Sequence, residues 1–273
     1  DILSLPFRDR VVHQWYVEEF IKPVYNSKFI KDSYACIEEK GLHLAMQTFQ
    51  KYMRKAYKEN KNFYILKCDI KKYFYSIDKN ILYKIIKKEY KDKRFLDFTK
   101  RILFQNSQGD VGIPIGNYTS QYFANIYLNQ LDHFVKEKLR VKYYIRYMDD
   151  FLLILSNKEE CKKVKILIED FLNKNLNLTL NQKTNYFPNK NGVHFCGFRV
   201  YRDRIKLSNR NKKSINKRIK KWNKKYKAKK LDLKKAGNQL VSWLGHASHE
   251  SNNLTVKSVL KKCKWIYNEK ENI

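Results

Sequence analysis

Apolar residues recur at helical spacing through residues 8–60, at Val11, Val12, Trp15, Tyr16 and Phe20 and again at Leu44, Phe49 and Met53. Spacings of three and four put side chains on one face of an α-helix, so this stretch predicts helices with a buried stripe. The period then changes. FYILKCDI (63–70) alternates and is rich in aromatic and branched residues, which predicts a strand. Helical spacing returns over 77–90 and 95–104. GDVGIPIGN (109–117) holds three glycines and a proline and reads as a loop. Thr119 and Ser120 offer caps for a helix from about Gln121 to Leu139, with Phe123, Ile126, Tyr127, Leu131, Phe134 and Val135 as its inward stripe.

Two apolar runs follow, YYIRY (143–147) and FLLIL (151–155), separated by Met148-Asp149-Asp150. They predict a β-hairpin with carboxylates at its tip. A helix over about 158–174 leads to short strands at NYF (185–187), HFCGFRV (194–200) and RIKL (204–207). This order of strands and helices predicts an α+β fold with an antiparallel sheet. Residues 208–235 differ in composition, with 14 Lys or Arg and one acid, Asp232. Ile215, Ile219, Trp222 and Tyr226 recur there at helical spacing, which predicts an amphipathic basic helix in a separate subdomain. The cationic side is either a solvated face or a surface for a polyanion. Trp222 and Tyr226 read as docking side chains rather than base-stacking ones.

Composition narrows the partner. The 273 residues carry 58 Lys and Arg against 27 Asp and Glu, a formal net charge of +31, with 43% hydrophobic and 15% aromatic residues. The apolar content supports a packed core, and the charge points to nucleic acid ahead of an acidic membrane surface. No run approaches the ~18 apolar residues of a membrane span. The opening DILSLPFRDR has no basic-then-apolar leader and no Met, so a cytoplasmic, N-terminally incomplete chain is expected. Cys36, Cys68, Cys161, Cys196 and Cys263 form no CxxC pair and read as reduced thiols rather than zinc ligands. His194, His246 and His249 lack ligand spacing and read as structural or RNA-facing.

Three acids carry the candidate chemistry: Asp69 at a strand end, and Asp149 and Asp150 at the hairpin tip. Adjacent like charges between apolar strands are costly unless something neutralises them. Carboxylates suit Mg²⁺, which also bridges phosphates, and two such ions activate a 3′-hydroxyl and stabilise a leaving pyrophosphate. Strand neighbours point to opposite faces. Asp149 and Asp150 therefore share one ion only if a turn breaks the alternation; otherwise one of them binds both ions. The alternative is an ordinary polar hairpin turn, where Asp is common. The apolar flanks and the third acid weigh against it.

Tyr147-Met148-Asp149-Asp150 resembles the catalytic box of reverse transcriptases. Four other stretches resemble motifs of that family, in the same order. Asp69-Ile70-Lys71-Lys72-Tyr73-Phe74 resembles the first catalytic motif, and Gly112 to Gln121 the loop and helix that hold template and nucleotide. Leu180-Asn181-Gln182-Lys183-Thr184 resembles the motif with a lysine near the pyrophosphate, and Phe195-Cys196-Gly197-Phe198 the primer-gripping hairpin. The resemblance implies a right-hand polymerase, with fingers over 1–62, palm with interleaved finger elements over 63–207, and a short basic helical thumb over 208–273.

It further implies RNA-directed DNA synthesis by a two-metal mechanism. Asp69, Asp149 and, as a weaker ligand, Asp150 would bind two Mg²⁺ ions, with Mn²⁺ as a substitute and the Ile70 carbonyl completing the shell. Phe74, beside Tyr73 in the nucleotide site, would collide with a 2′-hydroxyl. Lys183 would stabilise the leaving pyrophosphate. Ile115, Gly116 and Gln121 would line the nascent pair, and Arg8, Arg10 and Lys40 would hold triphosphate or template. Around Lys40 the family pattern Gly-Lys-Gly-Thr-His stands here as Glu39-Lys40-Gly41-Leu42-His43. Tyr147, Met148, Phe195, Cys196 and Gly197 would contact the primer, while Lys213, Lys217, Lys220, Lys221 and Lys224 would track the backbone without reading sequence.

One departure points to a subfamily. Most members read Gln-Gly-x-x-x-Ser-Pro where this chain has Ile115-Gly116-Asn117-Tyr118-Thr119-Ser120-Gln121. Together with PFRDRVVH (6–13), DSYAC (32–36), RYMDDFLLI (146–154) and SWLGH (242–246), this resembles the reverse transcriptases of bacterial and phage diversity-generating retroelements. That resemblance implies error-prone copying of a template RNA into cDNA, with errors chiefly opposite adenines. Template RNA, primer strand, dNTPs and an oligomer of a small basic helical accessory protein are the implied partners. Intron-type or defence-type bacterial reverse transcriptases share some of these strings and form the second reading. A non-catalytic RNA-binding protein that kept the fold is the third, and the three intact acids argue against it.

Overall fold

The structure, a computed structural model, describes residues 5–104 and 109–267. The first four residues of the opening DILSLPFRDR lie outside them. The chain divides into two compact units, Asp1–Asn189 and Lys190–Ile273.

The first unit starts with α1 (Phe7–Tyr16), a π-helical turn (Val17–Ile21), α2 (Lys22–Tyr25) and α3 (Leu42–Glu59). Next come β1 (Tyr64–Asp69), α4 (Tyr73–Ser76), α5 (Lys79–Lys87), α6 (Lys93–Phe104) and α7 (Tyr118–His133). β2 (Tyr143–Tyr147), β3 (Asp150–Leu155), α8 (Lys158–Leu176) and β4 (Asn185–Pro188) complete it. The strands form one antiparallel sheet in the order β2-β3-β1-β4. The second unit holds a three-strand antiparallel sheet of β5 (Val193–Phe195), β6 (Phe198–Val200) and β7 (Ile205–Leu207). Four helices follow: α9 (Asn209–Lys227), α10 (Leu233–Ala247), α11 (Leu254–Lys262) and α12 (Lys264–Tyr267). The α+β, antiparallel expectation holds. The sequence places the strands of 193–207 with the sheet bearing the acids, whereas compactness groups them with the basic helices.

Local chemistry explains most boundaries. Asp78 caps α5 by accepting from the Asn80 and Ile81 amides, and Asn157 caps α8 by accepting from Glu160. The basic stretch 208–235 is not one helix. Ser208 caps α9, the helix ends at Lys227, and Asp232, the only acid there, caps α10 by accepting from the Lys235 amide. HFCGFRV is likewise broken, because Cys196 and Gly197 both have positive φ and form a two-residue hairpin turn between Phe195 and Phe198.

Two expectations fail for tertiary reasons. Residues 26–41 are not helical. Asp32 to Tyr34 run extended beside β2, where the Arg146 amide donates to Asp32 O at 2.9 Å and the Tyr34 amide donates to Arg146 O at 3.0 Å. An open sheet edge offered backbone partners that helical periodicity does not record. Thr119 and Ser120 are not caps either. The helix begins at Tyr118, and both are buried inside it, with Thr119 Oγ1 hydrogen-bonded to His13 Nδ1 at 2.7 Å.

α7 is buried on almost every side rather than along one stripe. Phe123, Ile126, Tyr127 and Leu131 are core residues, and so are Ala124 and Leu128. Its buried amides reach across to backbone: Asn125 donates to Ala35 O at 2.6 Å and Asn129 to Lys28 O at 3.2 Å, while Asn129 Oδ1 has no hydrogen-bond partner. No helix among the described residues is long and apolar enough to cross a membrane.

In the second unit, Ile215, Ile219 and Trp222 of α9 pack with Ala236, Leu240, Val259 and Trp265, and the Trp222 and Trp265 rings meet edge to face at 6.1 Å. This supports Trp222 as a docking side chain. Trp222→Ala should destabilise this unit by about 3–5 kcal/mol, which denaturant unfolding monitored by the remaining tryptophans would measure.

Candidate active site

The three acids gather at one end of the β1–β3 ladder. Asp69 ends β1 and lies opposite Asp150, the first residue of β3, in antiparallel register. On the other side Asp150 pairs with Tyr147, so Met148 and Asp149 form the turn between β2 and β3. The expected alternation problem is resolved by that turn, since Asp149 is not a strand residue and is not bound by strand alternation.

Each acid has a distinct environment. Asp69 is held by Asn181, which donates from Nδ2 to the carboxylate at 2.8 Å and from its amide to Asp69 O at 2.7 Å. Asp150 Oδ2 accepts from Lys67 Nζ at 2.7 Å, while its Oδ1 is buried with no hydrogen-bond partner. Lys67 stands two residues before Asp69 on β1, hence on the same face. Burial pushes the Asp150 carboxyl up to about 6, against the pull of Lys67, and the charges of Asp69 and Asp149 add to the rise. Burial likewise raises Asp149, with Asp69 contributing.

These carboxylates carry more negative charge than their surroundings neutralise, and one oxygen is buried and unpartnered. Such hard oxygen donors fit Mg²⁺. Among the described residues no group of three His, Cys, Asp or Glu side chains forms a ready metal-ligand set. A Mg²⁺ ion bound through one or two carboxylates needs none, because water and substrate phosphates fill the other positions.

Other expected residues separate into two groups. Phe74 and Ile115 are half-buried, Gly116 is exposed with φ +112°, and Gln121, Tyr147 and Met148 are partly exposed near the start of α7 or at the hairpin. Ile70 bridges to Leu180, with its side chain in the core and its carbonyl beside Asp69 in sequence. Lys183 is exposed, in a turn closed by its own amide on Asn181 Oδ1 at 3.1 Å. Arg8 and Arg10 are exposed on α1, and Lys213, Lys217, Lys220, Lys221 and Lys224 are exposed on α9.

Three residues are placed otherwise than the sequence suggests. Tyr73 is a core residue whose hydroxyl donates to Ala124 O at 2.5 Å, so it faces α7 rather than a nucleotide. Lys40 Nζ donates to Lys31 O and Ser33 O at 2.8 and 2.9 Å and so pins the 31–33 backbone. Phe195 is buried in its own unit, leaving Cys196 and Gly197 at the hairpin tip. His246 is structural: Asn211 lies 3.1 Å from its Nε2 and the Phe198 ring packs on it.

Sequence reasoning missed Lys67 and the role of Asn181. Period-two spacing from Asp69 would have flagged Lys67, the lone cation in FYILKCDI. Asn181 lay inside a recognised motif, but its contact with Asp69 spans 112 positions and carries no local signal.

The sequence model of the family "Reverse transcriptase (RNA-dependent DNA polymerase)" matches residues 3–200, and the chain belongs to that family. It is 24% identical over 244 residues to Protein YkfC of Escherichia coli, covering 74% of this chain and 63% of that protein. It is 22% identical over 259 residues to the putative COX1/OXI3 intron 2 protein of Saccharomyces cerevisiae, covering 71% of this chain and 29% of that protein. The chain thus spans less than two thirds of either relative. Among solved structures, telomerase from Candida albicans with a fragment of telomeric RNA has a TM-score of 0.53 at 14% identity, over 72% of this chain and 37% of that one. Telomerase from Candida tropicalis with such a fragment has a TM-score of 0.51 at 17% identity, over 93% and 45%. At these identities the likeness concerns the fold.

In the metal-free chain the Asp150 carboxyl should titrate near pH 6 instead of 3.8. The folded state then holds this proton more tightly than the unfolded state. Stability is lost as pH rises from about 4 to about 6 and is level above that for this group. Lys67→Met should move the midpoint higher, and a carboxyl-carbon NMR titration would check both values.

Proposed function

We propose that this chain is an RNA-directed DNA polymerase in which Asp69 and Asp149 are the metal-binding acids. The observation that carries this reading is the register that sets Asp69 opposite Asp150, with Asp149 in the adjoining turn, within a reverse transcriptase chain. Asp69, Asp149, the Ile70 carbonyl and, more weakly, Asp150 would hold two Mg²⁺ ions. Such ions activate the primer 3′-hydroxyl and stabilise the leaving pyrophosphate.

The chain's own residues do the rest. Asn181 orients the Asp69 carboxylate, and Lys67 keeps one Asp150 oxygen engaged. Lys183, in the Asn181 turn, supplies positive charge for the pyrophosphate. Phe74 blocks the space of a 2′-hydroxyl and so selects deoxynucleotides. The exposed lysines of α9 neutralise backbone phosphates. A net charge of +31 supports a nucleic-acid substrate.

The finer reading is an error-prone enzyme of a diversity-generating retroelement, working with a small basic accessory protein. It rests on Ile115, which offers the nascent pair only shape, with no hydrogen bond. The competing reading is an intron-type reverse transcriptase, favoured by the likeness to the yeast intron protein.

Primer extension on a defined RNA template with Mg²⁺, followed by product sequencing, separates these. Asp149→Ala should lower extension by about a thousandfold or more, the loss of several kcal/mol of transition-state stabilisation. Products mutated mainly opposite template adenines support the retroelement reading, and accurate products support the intron-type one. Absence of product from the unaltered chain, with cognate RNA and accessory protein present, would favour RNA binding without catalysis. Ile115→Gln should reduce misincorporation several-fold, on the order of 1 kcal/mol of discrimination. An unchanged error rate removes Ile115 from the account.

A further inference from the structure

Arg146 is the fourth residue of β2 and is completely buried, as is Asp132 of α7. A charge pair taken out of water persists only when its polar groups are satisfied. Nε and Nη2 of Arg146 donate in a fork to Asp132 Oδ1 and Oδ2 at 2.7 and 2.6 Å. The Tyr144 hydroxyl donates to the same Oδ1 at 2.7 Å. The remaining nitrogen, Nη1, donates to Asn125 Oδ1 and to the carbonyl oxygen of Met148, both at 3.0 Å.

The last contact differs in kind. The others bind Arg146 into the core, whereas this one reaches back to the hairpin turn that carries Asp149. Met148 has φ +57° at the first position of that turn. Glycine is the residue suited to this conformation, and a side chain there is strained. Strain of this sort persists only where surrounding structure over-determines it. The carbonyl held by Arg146 belongs to the peptide joining Met148 to Asp149, so the guanidinium fixes the plane from which Asp149 departs.

We propose that Asp132 and Arg146 form a positioning pair that clamps the Met148 carbonyl and thereby sets the orientation of Asp149. Its bearing on catalysis rests on the reading of Asp149 as a metal-binding acid; the clamp itself does not. The pair also gathers the neighbouring chain. Asn125 Nδ2 holds Ala35 O at 2.6 Å, and the Arg146 backbone pairs with Asp32 and Tyr34. Arg146 therefore ties α7 and the turn together through its guanidinium, and the 32–35 segment through its backbone and through Asn125. Lysine in its place keeps a charge for Asp132 but lacks the fork needed to serve the turn at the same time.

The test compares the unaltered full chain with Arg146→Lys and with the double variant Arg146→Met/Asp132→Asn, which leaves no buried unpaired charge. Thermal midpoint and template–primer affinity show that each variant is folded and binds. Amide hydrogen exchange of Met148, Asp149 and Asp150 reads the turn, and single-nucleotide extension gives kcat and the dNTP KM. The expected result is faster exchange confined to the turn, unchanged template–primer affinity and dNTP KM, and a kcat ~10- to 100-fold lower. Unchanged exchange in the turn overturns the proposal whatever the activity. Faster exchange with unchanged kcat overturns its catalytic half. If the double variant does not fold, the lysine variant decides by the same readings. An unaltered chain that extends no primer fails the polymerase reading instead, and the exchange measurement still decides the clamp.

Discussion

The hydrogen-bond ladder between β1 and β3 runs from Tyr64↔Leu155 to Asp69↔Asp150, and the acidic site depends on that register. A slip of one residue would turn every side chain of one strand to the opposite face. Leu66 and Cys68 on β1 and Phe151 and Leu153 on β3 are buried on one face, and Ile65, Leu152 and Ile154 on the other, so a slip would also disrupt packing on both faces. The apolar faces thus lock the acids in place without touching them. β2 adds the second constraint, because pairing Tyr147 with Asp150 leaves two residues for the turn and puts Asp149 in it.

Holding three carboxylates together has an electrostatic cost that the protein offsets only in part. Lys67 engages one oxygen of Asp150, and Asn181 engages Asp69. Burial still leaves Asp149 and Asp150 reluctant to ionise. A site under-neutralised in this way is stable when empty only at some expense and gains when a divalent cation arrives. That asymmetry is the physical basis of the proposed polymerase chemistry.

The basic helices answer a different requirement. α9 buries Ile215, Ile219 and Trp222 in its own unit and leaves its lysines exposed except Lys212, which pairs with the buried Glu250 at 3.0 Å. Packing therefore uses one face and keeps the cationic face for solvent or phosphate. Asp232 has a local task as the α10 cap.

By itself, the amino-acid sequence determined the alternating strand at 63–70, the hairpin with acids at its tip, the amphipathic basic helix and the order of five reverse transcriptase motifs. These are readable because each is a local pattern: a period, a turn residue, or a short string with fixed spacing. The contacts that complete the site join positions far apart. Asn181 meets Asp69, Lys67 meets Asp150, and Arg146 meets Asp132 only after the sheet and α7 are assembled. The same holds for Tyr73, which burial turned toward Ala124, and for residues 32–34, which an open strand edge drew out of helix. Local periodicity records which face of an element is apolar. It does not record which distant backbone or charge will lie against that face, and only the tertiary structure decided that.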